Sequence, residues 1–96
     1  MEAAQIPESV TTLSQAVIDL DANGANEFGT AFAERVAELL AEQIGRQVNT
    51  FNITNRDVAV MLVAHGATWW TVDHWARLIT RRIKNDFARH RLGGNI

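Results

Sequence analysis

The chain has 96 residues, of which 47% are hydrophobic and 21% charged; this composition excludes a disordered chain and predicts one domain over residues 1–96. It contains no cysteine, which excludes disulfide frameworks, thiolate zinc sites and cysteine nucleophiles. Residues 1–50 contain eight carboxylates and two arginines, which gives this half a net charge of −6. Residues 51–96 contain three carboxylates and seven cations, which gives a net charge of +4. The net charge of −2 is therefore the sum of an acidic half and a basic half.

The first two helices are predicted from apolar residues at helical spacing. Helix 1 is expected over residues 8–20 and is followed by Gly24, which we expect in the left-handed conformation. Its apolar face consists of Val10, Leu13, Val17 and Leu20. Helix 2 is expected over residues 26–44, with Asn26 as its cap. Its apolar stripe consists of Phe28, Phe32, Val36, Leu39, Leu40 and Ile44, with Glu34, Glu38 and Glu42 away from it.

The last two helices follow a segment, residues 47–53, for which a loop is favoured over a short strand. Thr54 and Asp57 have the spacing of a capping box, so helix 3 is expected to begin there and to end at Gly66. Its apolar run over residues 58–64 predicts a central, buried helix. Helix 4 is expected over residues 71–91, before a flexible tail at 92–96. Its apolar stripe consists of Val72, Trp75, Ile79, Ile83 and Phe87.

The fold class is therefore all-α, a compact four-helix domain. Its predicted core consists of Leu13, Val17, Phe32, Val36, Leu40, Met61, Leu62, Trp75, Ile79 and Ile83. The N-terminus is acidic, and the longest apolar run has seven residues. We therefore expect neither a signal peptide nor a membrane span, and we expect a cytoplasmic protein.

The segment joining helices 3 and 4 carries a spaced set of small and apolar residues: Gly66, Thr68, Thr71, Val72 and Trp75. Over about 22 residues, 56–77, this pattern resembles helix-turn-helix DNA-binding domains, in which a glycine opens the turn and the second helix packs on the first. The base-reading positions that the resemblance implies are Thr68, Trp69, Trp70, Asp73, His74 and Arg77. The chain departs from the pattern at Leu62, where the family usually has alanine. An ordinary helical hairpin is the alternative.

A row of cations lies on one side of predicted helix 4. It consists of His74, Arg77, Arg81, Lys84 and Arg91, flanked by Arg82 and Arg89. Such a row could follow a nucleic-acid backbone. It could equally be a solvated face that complements the helix dipole. A third interpretation pairs it with the face formed by Glu34, Glu38 and Glu42, within the fold or between copies of the chain.

Two functional hypotheses follow. The first is a protein that binds duplex DNA, a regulator or a packaging factor of the phage type. Its predicted nucleic-acid contacts are Thr68, Thr71, His74, Arg77, Arg81 and Lys84. The second is an assembly or adaptor protein that forms homo-oligomers or binds another protein. Its predicted interface consists of Trp69, Trp70, Glu34, Glu38 and Glu42. Exposed tryptophans are good interface anchors, although at least one of this pair could instead belong to the core.

No enzymatic activity, cofactor or metal is expected. The only serines, Ser9 and Ser14, are far in sequence from any histidine, and no glycine-rich phosphate loop is present. Asp86 and His90 are four residues apart, which suits an exposed helical pair better than a metal site, because two ligands do not make one.

Overall fold

The computed structural model describes residues 9–44 and 52–93, and side chains as far as Asp86. Within these ranges the chain forms four helices and no strand, which confirms the all-α four-helix fold. The helices are α1 (Leu13–Asn23), α2 (Gly29–Ile44), α3 (Asn55–Ala64) and α4 (Trp69–Gly93). No helix in the described ranges is both long and apolar enough to cross a membrane.

The main helix–helix contacts are between α1 and α2, between α2 and α4, and between α3 and α4. Nine of the ten predicted core residues are buried where these helices meet. Met61 is the exception and is only half-buried, because α3 packs mainly against α4 among the described helices.

Helix α1 begins at Leu13, five residues later than the predicted start at Glu8, which lies outside the described residues. The Thr12 hydroxyl accepts the backbone N–H of Gln15, so Thr12 is the cap that determines where this helix begins. The helix continues to Asn23, past the predicted end at Leu20. Gly24 has a φ of −64°, so the predicted left-handed conformation is wrong.

Helix α2 begins at Gly29, three residues later than predicted. The side-chain oxygen of Asn26 accepts the backbone N–H of Phe28 at 2.8 Å, which holds residues 26–28 in a turn and delays the helix. Phe28 therefore lies outside the helix and is 46% exposed, so its predicted place on the buried stripe is wrong. Gly45, the predicted end, lies outside the described residues.

Helix α3 has the predicted capping box, because the Thr54 hydroxyl accepts the Asp57 N–H and the Asp57 carboxylate accepts the Thr54 N–H, both at 3.1 Å. Its predicted full burial is wrong. Val60 and Val63 are 61% and 55% exposed, and within the helix only Val58 and Leu62 are buried. One packing partner covers one stripe of a helix, whatever the composition of the other sides.

Helix α4 has 25 residues and begins at Trp69, two residues before the predicted start. It continues to Gly93, so residues 92 and 93 of the predicted tail are helical, and residues 94–96 lie outside the described ranges. At 1.5 Å per residue this helix is about 37 Å long. It therefore forms the scaffold on which α2 and α3 both rest.

Candidate functional site

The turn between α3 and α4 is built on Gly66, whose φ of +97° is a conformation that other residues rarely adopt. The backbone N–H groups of residues 65–67 donate to carbonyls in the last turn of α3. The turn reverses the chain within four residues and places Trp69 at the start of α4. The glycine thus has the conformational role that its position predicts.

The first turn of α4 is tied to α1 by the carboxylate of Asp21. Its oxygen Oδ1 accepts the Thr68 hydroxyl at 2.6 Å, the Thr68 backbone N–H at 3.1 Å and the hydroxyl of Thr71. A carboxylate at the N-terminus of a helix also interacts favourably with the helix dipole. Asp21 was not among the predicted site residues, and it anchors the element on which most of them lie.

This network changes the interpretation of two predicted nucleic-acid contacts. Thr71 is fully buried and its hydroxyl donates within the protein, so it is removed from the contact surface. Thr68 is exposed as a residue, but its hydroxyl and backbone N–H are both committed to Asp21. Both threonines therefore stabilise the start of α4 by hydrogen bonds, and the exposed part of the site consists of other side chains.

The Asp21 network is expected to contribute stability that depends on pH. Partial burial of the Asp21 carboxyl raises its pKa, but the hydrogen bonds from Thr68 and Thr71 together outweigh this effect and lower the pKa below its ordinary value. A lowered pKa means that the folded state binds the proton more weakly than the unfolded state. The stabilisation is then complete above the ordinary aspartate pKa of about 3.9 and is lost as the pH falls through the lower, folded-state pKa.

Asp21→Ala is therefore expected to lower the free energy of unfolding by about 1–3 kcal/mol at neutral pH, because the buried Thr71 hydroxyl loses its acceptor. The difference from wild type should shrink below about pH 4, where the unfolded chain is protonated at this position. Urea unfolding at several pH values measures both effects. Asp73→Ala is the matched control, because Asp73 is exposed and forms no hydrogen bond within the described residues. Equal curves for the two variants would contradict the prediction.

The predicted cation row lies on the solvent-facing side of α4. His74, Arg77 and Arg81 are exposed and Lys84 is partly exposed. Arg77, Arg81 and Lys84 form no salt bridge with any described residue. Along the helix axis these three positions are spaced about 6 Å and 4.5 Å apart. The row thus presents three cations, together with an imidazole, on one continuous face.

Arg82 behaves differently from the rest of the row. It lies 3.2 Å from a carboxylate oxygen of Glu34 on α2 and 3.1 Å from one of Asp86 on α4. These contacts neutralise it and fix it at the boundary between α2 and α4. Within the described residues, Arg82–Glu34 is the one salt bridge between α4 and α2.

The predicted acidic face on α2 is only partly available to a partner. Glu34 is paired with Arg82, and Glu38 is paired with Arg35 at 2.8 Å. Glu42 is exposed and lines a cleft beside the start of α1. The interpretation in which the whole cation row meets this face within the fold therefore reduces to the Arg82–Glu34 pair.

The three tryptophans have three different environments. Trp69 is 80% exposed, Trp70 is 43% exposed, and Trp75 is buried. The ring of His74 lies against both neighbours, 5.4 Å from the Trp70 ring centre and 4.7 Å from that of Trp75. Gly29 makes room for Trp75, because a Cβ at that position would lie 3.0 Å from the indole carbon Cζ2. An aromatic surface thus precedes the cation row on α4.

One pair with catalytic residue types is brought together although it is remote in sequence. The Ser14 hydroxyl lies 2.9 Å from Nδ1 of His65, which joins α1 to the α3–α4 turn. The backbone N–H groups of residues 65–67 donate to α3 carbonyls and are therefore not free to stabilise an oxyanion beside this pair. The pair acts as a tether in this arrangement.

Some predicted residues lie where side chains are not described, namely Phe87, Arg89, His90 and Arg91. Within the described residues, no group of three potential metal ligands occurs. No protein-family model, curated protein or solved structure matches the chain.

Proposed function

We propose that the chain is a non-enzymatic DNA-binding protein that grips the DNA backbone with the exposed face of α4. The observation that carries the proposal is that Arg77, Arg81 and Lys84 face solvent along one side of the helix without an internal salt bridge in the described part of the chain. A cation that is paired within the protein must first give up its carboxylate before it can neutralise a phosphate and release counterions, whereas these three cations need not.

The electrostatics favour α4 as the contact surface although the whole protein has a net charge of −2. Affinity for a polyanion depends on the local potential, which screening limits to about 8–10 Å at physiological salt. The acidic residues of α2 are neutralised in part by Arg35 and Arg82. A locally basic helix on an acidic protein is therefore compatible with DNA binding that weakens steeply as salt is added.

The test is the triple variant Arg77→Ala, Arg81→Ala, Lys84→Ala. Fluorescence anisotropy with a labelled DNA at several salt concentrations gives the slope of log affinity against log salt. Three lost phosphate contacts should reduce the magnitude of that slope by about 2.7, at about 0.9 for each contact. Arg82→Gln is the matched control on the same helix, and it should leave the slope unchanged because Arg82 is already neutralised.

A second candidate function is an assembly or adaptor protein, and it is favoured by exposed apolar side chains. Val60 and Val63 on α3 are more than half exposed, as is Trp69 at the start of α4. Light scattering of the same samples separates the two functions. If the protein does not bind DNA and its mass exceeds that of the monomer, the result would contradict the DNA proposal and favour assembly.

A further inference from the structure

The exposed tryptophans at the start of α4, Trp69 and Trp70, are poorly suited to contact an intact double helix. The indole of Trp69 is the most exposed large apolar side chain in the described residues, and Trp70 beside it is nearly half exposed. An indole offers two flat faces and a single N–H donor. In a duplex the bases are stacked on one another, and a groove presents only hydrogen-bonding edges and methyl groups.

The aromatic and cationic parts belong to one surface. Trp70, His74, Arg77, Arg81 and Lys84 recur at spacings of four, three, four and three, which places them on one side of α4. From Trp70 to Lys84 this side extends about 21 Å along the helix axis. A ligand that follows it meets aromatic rings first and cations afterwards.

Trp69 adjoins this face through Asp73, because Trp69, Asp73 and Arg77 follow one another at spacings of four. Asp73 is the carboxylate at the aromatic end among the described residues. Asp73 is exposed and forms no salt bridge within the described residues. Next to a phosphate it would be repulsive, but a carboxylate accepts hydrogen bonds from the exocyclic amino groups of bases. The order of side chains thus suits bases near Trp69, Trp70 and Asp73 and phosphates near the three cations.

We infer that the preferred ligand is single-stranded nucleic acid, in which an unpaired base stacks on Trp69 while Arg77, Arg81 and Lys84 follow the phosphates. This inference rests on the proposed function, because it requires that α4 binds nucleic acid. Stacking of a base on an aromatic side chain together with a basic track is a sequence-tolerant mode of recognition. The exposed indole then has a ligand-binding role.

The experiment compares a labelled single-stranded DNA, a single-stranded RNA of the same sequence and the corresponding DNA duplex by anisotropy. The single strands are expected to bind more tightly than the duplex and to quench tryptophan fluorescence. Trp69→Ala should weaken single-strand binding by about tenfold, the equivalent of roughly 1.4 kcal/mol of stacking energy. It should leave duplex binding unchanged. Trp69→Phe should restore most of the affinity, because a flat ring is retained.

The controls separate stacking from other effects. Ile18→Ala removes an exposed apolar side chain from α1, and it should leave all three affinities unchanged. Equal binding of the duplex and the single strands, or single-strand binding unaffected by Trp69→Ala, would overturn the inference while the DNA-binding proposal stands. Failure of all three probes to bind would overturn both. The DNA and RNA arms show whether the sugar contributes to recognition.

Discussion

Trp75→Ala is expected to lower the free energy of unfolding by about 3–5 kcal/mol, the range measured for large aromatic truncations in protein cores. Trp75 is 6% exposed and is part of the main core cluster. It packs beside Gly29 and against the edge of His74. A cavity at this position would loosen the start of α4, where the exposed aromatic surface begins.

The matched control for this prediction is Trp69→Ala, which removes the same side chain six residues earlier in the chain. Trp69 is 80% exposed, so its loss should change the free energy of unfolding by no more than about 0.5 kcal/mol. Urea denaturation followed by far-UV circular dichroism compares the two variants. Similar losses for both would mean that Trp75 does not form the packed contact described above. Trp75→Phe should cost less than Trp75→Ala, because most of the ring volume remains.

Phe32→Ala is also expected to cost about 3–5 kcal/mol, because Phe32 is among the largest fully buried side chains of the core. Phe28, four residues earlier, is 46% exposed and lies before the first turn of α2. Phe28→Ala should therefore cost well under half as much. Thermal or urea unfolding of the two variants tests this difference directly.

The comparison of Phe28 with Phe32 also shows a position at which the local sequence pattern and the tertiary structure disagree. The spacing of the two phenylalanines assigns both to one apolar stripe, but the Asn26 side chain accepts the Phe28 N–H and keeps that residue in a turn. Equal destabilisation by the two substitutions would contradict this structure, because it would require Phe28 to be packed in the core. A small effect of Phe32→Ala would contradict the position of the core itself.

Some of the features that depend on residues close in sequence could be predicted. The capping box of Thr54 and Asp57 and the turn at Gly66 were both expected, because each depends on a few neighbouring residues. The exposure of Val60 and Val63 could not be predicted in the same way. Burial of those side chains depends on how many helices surround α3, and the composition of α3 carries no information about that number.

The candidate site likewise has features that the sequence predicts and features that depend on contacts between distant residues. The cation row follows from helical periodicity, which the sequence contains in full. The role of Asp21 depends on a contact with Thr68 across 47 residues, and the Ser14–His65 contact spans 51 residues. Aspartate near the end of a helix is common, so neither its type nor its spacing distinguishes Asp21 from a solvated side chain. Thr71 was accordingly predicted to meet DNA, although its hydroxyl is used inside the fold.

Among the described residues, Arg82–Glu34 is the one salt bridge that joins α2 to α4, and most of the other carboxylates and cations stay on separate helices. Glu38 and Glu42 lie on α2, whereas Arg77, Arg81 and Lys84 lie on α4. Opposite charges held apart by a rigid body create an electric dipole moment, so a long polyanion exerts a torque on the molecule as well as an attraction. For the proposed binding to nucleic acid, this torque is expected to turn α4 toward the polymer during approach, and the rate of encounter should fall as added salt shortens the range of the torque.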